Sequence, residues 1–498
     1  MGNSFSKLLL ALLLVCVPVN MHAWVLQFGY SSIPEIEKSF FIRKGLVPED
    51  AMLITDYISR QRIHSVLSDS LPAALREYYL SRTSTDKRWF FAEMPMGIKS
   101  YSFEGKPLSK GRTRIYIQPA VGMNFWDRGF FYMNFEIDNS LFDNPHFTGK
   151  KWESLAWRTT KAVLAYNSSL GEFSAGRGYI RWGKGTLFAG NSPTDGLLFQ
   201  TFHGRLRFFS GFLFLDDCRL SDSLREIYHQ SYARRYLSFH RLSVLPMKNI
   251  ELSLYEALLF GGPGRTPEIY YILPVYLFHI EQLESHENDN TFLGAEFRAN
   301  FLKTLVEAEF TLDDFQIDKN VQSDYEPTEY AAAIGATHSL DAVLPVDFSI
   351  EYRRVANWTF NQLYPWNRFL YKGFPLSDSA GCDFDRITAD VKLWVKPAFY
   401  LSCGAEYQRK GEGRVDSPWT EPWMDVSGEY HEKFPTGVVE YKTTVKLETE
   451  GEATPYLHMV AGLYYMKYRN RENQKGSNKG NWAARLVFLW MPQKTFLF

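Results

Sequence analysis

The chain has 498 residues, 45% hydrophobic and 22% charged, which is enough apolar content for a large fold and excludes a disordered chain. Lys and Arg number 55 against 56 Asp and Glu, a formal net charge of −1, so no overall field favours nucleic acid. Aromatic residues reach 16%, and past the N-terminus no run of 18 apolar residues occurs; this excludes a helical membrane protein but not a barrel, whose strands are only half apolar.

Met1–Ala23 reads as a cleaved export signal, with Lys7 as its basic start, Leu8–Val19 as an apolar stretch too short to span a bilayer, and Ala23 as the cut. Cys16 follows Leu14 and Val15 and lacks the adjacent small residue that a lipidation site places there. Cleavage leaves Cys218, Cys382 and Cys403, so at most one disulfide forms; Cys382–Cys403 is one pairing, and three small apolar side chains is the other reading. No cluster of metal-ligand spacing and no phosphate-binding loop is present, and neither a metal nor a cofactor is expected. Residues 24–93 carry helix starts at Pro34-Glu35 and Pro48-Glu49-Asp50 and a third short helix at Leu71–Leu80. These are too short to stand alone, and they are read as a small periplasmic plug, with a flexible tail as the other reading.

From residue 94 to 498 a period of two dominates. Phe131, Met133, Phe135 and Ile137 oppose Tyr132, Asn134, Glu136 and Asp138. The same pattern recurs in Val306–Asp314, Val346–Arg354, Ile387–Lys396, Phe399–Tyr407, Val439–Leu447, Leu457–Tyr465 and Trp482–Trp490. Many segments run to about ten residues, the length of a tilted membrane-crossing strand rather than the five or six of a soluble one. The connections alternate in length. Long ones at Asp216–Arg234, Gly261–Asn290, Gln316–Tyr330, Thr359–Phe384, Lys410–Pro435 and Arg469–Gly480 interleave with short ones at Pro246–Asn249, Lys303, Asp341–Pro345, Pro397 and Glu450–Thr454. Parity then requires one ascending strand before Arg114–Met123, and Met94–Phe103 fits. The expected fold is an all-β transmembrane antiparallel β-barrel of about 18 strands with a small N-terminal helical plug. The aromatic excess belongs to girdles such as Trp482 and Trp490, which flank Ala484, Leu486 and Phe488.

Arg177, Tyr179 and Arg181 share a face of the strand read at Phe173–Trp182, and Glu307, Glu309 and Asp313 share one of another. Arginine in the lipid band costs about 2–4 kcal/mol at midplane, so both sets are expected to point into the lumen, as structural ion pairs or as a polar surface for a ligand. Aromatics crowd the long loops: Tyr364, Trp366 and Tyr371 in one, Trp419 and Trp423 in another. Beside Asp, Glu and Arg they suit sugar rings, whose C–H faces stack on π-systems; loops packing on each other to close the mouth is the plainer reading. A barrel hydrolase needs its His and Ser on one strand face. His338 and Ser339 are neighbours and face opposite ways, as do Asp313 and Asp314, so a non-enzyme is favoured.

Four segments in order resemble the Wzi family of outer-membrane capsule assembly proteins. GRGYIRWGKGTLFAGNSP (Gly176–Pro193) is similar to its Arg-x-Trp-Gly-x-Gly-x-Leu stretch, although Asn191-Ser192-Pro193 departs from the Ser-Asn-Ala that often follows. FHRLSVLPMKNIELSLYEALLFGG resembles its Arg-Leu, Leu-Glu-Leu and Glu pattern through Arg241, Glu251 and Glu256. NDNTFLGAEF (Asn288–Phe297) and VEAEFTLDDFQID (Val306–Asp318) complete the likeness, which covers roughly Gly129–Asp318. The resemblance implies an 18-stranded barrel with a helical periplasmic plug that binds capsular polysaccharide in the manner of a lectin and helps anchor the capsule. Glu256 falls on the apolar parity of its strand, beside Ile250, Leu252 and Leu254, which calls for a bulge or a different register. The leading expectation is a monomeric outer-membrane protein with capsular or surface polysaccharide and membrane lipid as partners. An outer-membrane porin is the alternative, and a hydrolase dependent on an inward carboxylate such as Glu309 the third.

Overall fold

The computed structural model describes residues 42–43, 89–94, 96–102, 112–125, 128–138, 149, 156–285, 288–315, 319–396, 399–454, 456–490 and 493–497. The signal segment and the helix starts expected at Pro34, Pro48 and Leu71 lie outside the described residues. Twenty-two strand segments form one antiparallel sheet. Three staves of the wall are each broken in two: Trp89–Glu93 with Met96–Ser102, Arg112–Ile117 with Ala120–Phe125, and Lys479–Trp490 with Gln493–Leu497. Cys218–Arg219 pairs only with Tyr232 and Ala233 and belongs to a loop. The wall therefore has eighteen staves among the described residues. Met96–Ser102 bonds to Arg112–Ile117 on one side and to Lys479–Trp490 on the other, so the ladder returns to its first stave. That stave starts at Trp89, ahead of the boundary expected at 94.

Short turns and long loops fall on opposite ends, as the alternation of lengths requires. Leu302 and Lys303 make one tight turn with φ of 49° and 61°. One expected turn moves: Glu450–Thr454 is the end of strand Glu440–Thr454, and Thr454 already pairs with Leu457 of the next strand.

Polarity is inverted relative to a water-soluble sheet. Leu254 is 68% exposed, and Ile334, Leu447 and Phe310 are also outward and exposed, while Glu307, Glu309, Arg241 and Arg298 are buried inside. Trp482, 60% exposed, and Trp490 stand at the two ends of the outward row through Leu486 and Phe488. An apolar exterior above and below which aromatics sit is what a bilayer demands of a closed sheet. No helix among the described residues is long and apolar enough to cross a membrane. The three described cysteines are free thiols: Cys382 is buried in the core and Cys403 sits exposed in strand Phe399–Lys410. At the short-turn end the backbone carbonyl of Ile42 accepts from Asn300 Nδ2 at 3.0 Å, and Arg43 lies 3.7 Å from Asp341.

The long Gly261–Asn290 connection does not cross the mouth. Its helices Ile269–Ile272 and Phe278–Ser285 pack on the outer wall, where Tyr271 and Phe278 bury against Phe212, Tyr236, Leu258 and Phe260. This resolves Glu256. The pairing His240↔Glu256↔Leu293 runs without a bulge, so the side chain faces outward as its parity requires. It is covered there, accepting the backbone N–H groups of Phe278 at 2.9 Å and His279 at 2.6 Å, with His240 Nε2 at 3.2 Å. A carboxylate on the lipid-facing wall is tolerated because the loop covers it and brings two backbone donors, and the neighbouring strand brings His240.

Candidate functional site

The wall strand expected over Phe173–Trp182 ends at Gly178. Beyond it the chain leaves the wall and folds back through the lumen as a hairpin, bridged at Arg181 and Ala189. Ile180, Trp182, Leu187 and Phe188 are all buried, so both faces of the alternating stretch end up inside. Trp182 packs among Phe188, Phe239, Tyr255 and Phe209 at centroid distances of 4.5, 5.2, 5.4 and 6.1 Å. Loop residues Phe360, Phe369, Leu376 and Val415 join the same cluster from above. The lumen beneath the long loops thus holds an apolar core.

Below that core the hairpin is tied to the wall by charge. Glu309 Oε2 accepts the backbone N–H groups of Lys184 at 2.6 Å and Thr186 at 3.2 Å, and its other oxygen accepts the Tyr255 hydroxyl at 3.2 Å. Arg353 donates to the carbonyls of Lys184 and Gly185, at 2.5 and 3.2 Å. Lys184 Nζ lies 2.6 Å from Glu351 and 3.7 Å from Glu307. From Glu307 a ladder of ion pairs crosses the strands through Arg298, Glu251 and Arg207 at 3.3, 3.5 and 3.2 Å, with Arg241 on Glu296 at 2.5 Å. The desolvation cost of buried pairs like these offsets much of their attraction, whereas removing one partner leaves a buried charge unpaired. Asp313 Oδ2 accepts the Phe360 N–H at 2.5 Å and so ties a long loop to the wall. Beside the ladder a polar cavity of about 600 Å³ remains, lined by Arg181, Asp347, Arg386, Asp390, Lys446 and Glu448 among others.

Arg177 departs from the expectation that it faces the lumen. Its register partners place it on the face of Phe173 and Leu197, both exposed, and it pairs bidentately with Asp195 at 2.6 and 2.7 Å. The two sit one rung from the long-loop ends of their strands, and a bidentate pair there avoids the cost of a lone arginine at midplane. Tyr179 sits half-buried near Arg158 and Glu136, and Arg181 opens into the polar cavity, so the three do not act as one surface.

The long-loop end is an aromatic cap. Trp366 is buried, stacked on half-buried Tyr364 at 4.7 Å with planes 13° apart, and edged by Tyr228 at 5.9 Å. Buried Arg235 fixes this loop by donating to the carbonyls of Trp366 at 2.9 Å and Arg368 at 2.5 Å. Trp358, Trp419 and Trp423 form a second group with centroids 5.4–5.8 Å apart. Trp423 is 2% exposed, whereas Trp419 and Trp358 are half-buried. Tyr371 is buried, and that burial pushes its hydroxyl up to about 12. Burial likewise lowers Arg368 and Lys372 from their ordinary values. Trp366, Tyr371 and Trp423 are therefore buried supports, while Tyr364, Trp358 and Trp419 keep part of their rings exposed, beside Arg368, Arg414, Asp416 and Glu421. The aromatic count of the loops pointed to this end of the molecule, but which ring supports and which is presented depends on packing between loops. Arg235, Lys184 and Arg353 were missed, although each stands out as a charge in a strand or a Gly-Lys-Gly turn.

A family model described as capsule assembly protein Wzi matches residues 120–483, most of the chain. No curated protein sequence matches it. Among solved structures, Wzi of Escherichia coli superposes with a TM-score of 0.59 at 12% identity, over 94% of this chain and 99% of that one. It is described as an outer-membrane protein involved in group 1 capsule assembly and as a carbohydrate-binding β-barrel. OccD3 (OpdP) of Pseudomonas aeruginosa gives 0.45 at 11% identity over 81% and 91%. OprD of the same organism gives 0.44 at 12% identity over 82% and 94%. The closed eighteen-stave wall, its apolar exterior and a family match across most of its length make this chain a member of the capsule assembly protein Wzi family and an outer-membrane β-barrel.

Proposed function

We propose that this chain binds capsular or surface polysaccharide at its aromatic cap, without catalysis, and helps assemble and hold the capsule at the cell surface. The observation that carries this reading is the infolded Trp182 hairpin: with the lumen under the cap packed, a polymer is met from outside rather than passed through. Half-buried Tyr364, stacked on buried Trp366, and half-buried Trp419, set edge-on to buried Trp423, suit the C–H faces of sugar rings, and Arg and Asp side chains beside them suit hydroxyl or acid groups. Each contact is weak, and a repeating glycan gains by engaging several copies. The carboxylate of Glu309, the candidate of the hydrolase reading, is engaged by two backbone donors and a tyrosine, which supports a structural role. The contacts of Ile42 and Arg43 at the short-turn end support a plug formed by residues 24–88 on the periplasmic side of a monomer.

The test compares cell-bound with shed polysaccharide in a deletion strain and its complemented control. Unchanged total polymer that moves into the medium is the expected result; identical fractions would sink the anchoring idea. The polar cavity of about 600 Å³ favours a second reading, a solute channel. Steady single-channel current from the intact protein in a planar bilayer would favour it, and a silent bilayer would exclude it.

A further inference from the structure

We propose that the 263–289 connection is a membrane-interface anchor, lying on the outside of the barrel with one side against the wall and the other in the outer leaflet. The inference rests on the barrel's place in the membrane and not on the glycan reading. Three observations carry it. First, the loop is fixed to the wall's outer face. Tyr271 and Phe278 bury on Phe260 and its neighbours, and Tyr271 donates its hydroxyl to Asp289 at 3.0 Å. Arg265 holds Glu268 at 2.8 Å and also Asp289, which clamps the two ends of the connection together.

Second, the side turned away from the wall is apolar. Val275 is 81% exposed and Ile280 58%, and Ile269, Leu273 and Leu277 are exposed with them. A loop bathed in water gains nothing from such a surface. Along helix Phe278–Ser285 the exposed residues change from Ile280 to Glu284 as the chain climbs back to Asn290 at the rim. Apolar residues low and acids high is the order an interface imposes.

Third, this surface is continuous with the lipid-facing band. On strand Ile250–Gly262 the outward side chains are bare at Leu252 and Leu254, and covering by the loop begins at the next outward residue, Glu256. A strand needs about ten residues to cross the hydrocarbon, counted here from Ile250 at the short-turn end. Glu256 and the start of the second helix therefore lie within the outer-leaflet part of the band. Next to them the wall is concave, with a groove of about 800 Å³ between Leu254, Phe297, Phe310 and Ile334. The occupant that meets both surfaces at once is the acyl chains of the outer leaflet. The anchor is coupled to the cap, because Asn290 and Asn367 exchange contacts with the loop ends: Asn290 Nδ2 donates to the Asn367 carbonyl at 3.2 Å and Asn367 Nδ2 to that of Asn288 at 2.5 Å.

The test uses the full chain reconstituted in phosphatidylethanolamine–phosphatidylglycerol vesicles. The half-buried and the exposed thiol are removed by Cys218→Ser and Cys403→Ala, and a nitroxide is attached at Val275→Cys or Ile280→Cys. Leu254→Cys serves as the lipid reference and Glu226→Cys, on the exposed side of the cap helix Asp222–Tyr228, as the aqueous one. Far-ultraviolet circular dichroism confirms that each variant retains the barrel. The expected result is an oxygen-to-nickel-chelate accessibility ratio at 275 and 280 that matches Leu254→Cys. A ratio matching Glu226→Cys overturns the proposal, and so does shielding from both relaxants, which would mean that protein covers the face.

Discussion

At Gly183 the backbone runs with φ of 50°, and a Cβ there would lie 2.8 Å from Glu309 Oε2 and 3.0 Å from Glu296 Cδ. The residue does two jobs that a side chain would spoil: it turns the hairpin and lets its N–H groups approach a carboxylate. Gly204, in an open wall turn with φ of 61°, has nothing within 4 Å of the same position. Gly183→Ala should therefore lose about 1–3 kcal/mol beyond Gly204→Ala, read as the difference in urea midpoints of the detergent-solubilised barrel. The cap offers a second contrast. Trp423→Ala removes a buried ring and should cost about 3–5 kcal/mol, whereas Trp419→Ala should weaken glycan retention with a much smaller loss of stability. Equal effects on retention and stability at both positions would remove Trp419 from the binding surface. Cys382 supplies a third. Burial pushes its thiol up to about 12, so its thiolate is scarce at pH 8. A maleimide should leave it unmodified in the folded protein and label it after unfolding, as mass spectrometry of the peptide will show.

Elements differ in how openly the sequence declares them. Strand Thr304–Asp314 was legible residue by residue, because one face meets lipid and the other meets the ion-pair ladder. Glu172–Gly178 was legible only as far as Gly178. The residues after it keep alternating, but alternation records that the two sides differ, not that both lie inside the barrel. Only the lack of a partner strand beyond Gly178 separates a wall from an infolded hairpin, and that is a long-range fact. Glu256 shows the reverse: its outward parity called for a bulge or a different register, yet the structure has neither, and the helix that covers it comes from a connection read simply as long. The same logic makes the hairpin's tether testable. Glu309→Ala takes the acceptor from the Lys184 and Thr186 N–H groups and leaves buried donors unpaired, a loss of about 3–5 kcal/mol. The loosened hairpin should raise single-channel conductance above that of the unaltered protein; conductance that stays the same would show that the apolar cluster around Trp182 holds the hairpin without it.

The molecule as a whole keeps its charges inside and its aliphatic side chains outside, so the wall has no stable fold without a lipid-like surround. Its closure is made by short segments. Trp89–Glu93 is held between Gln493–Leu497 and Ala120–Phe125, five rungs on one side and four on the other. Deleting residues 493–498 should strip one side of that segment and abolish accumulation of assembled barrel in the membrane fraction, while the message and its translation continue. Trp89 and Leu497, which face each other across this seam, are some four hundred residues apart along the chain. Every other junction of the wall joins neighbours in sequence, so contact order is low throughout except at this one point, where the loop to be closed is nearly the whole protein. Until the Lys479–Trp490 and Gln493–Leu497 segments pair with Met96–Ser102 and Trp89–Glu93, the wall is a ribbon with two open edges, prone to pair with whatever strand it meets. Sealing of the cylinder is thus the single step at which both edges vanish together, and the cell can judge whether this barrel is assembled by asking whether it still has an edge.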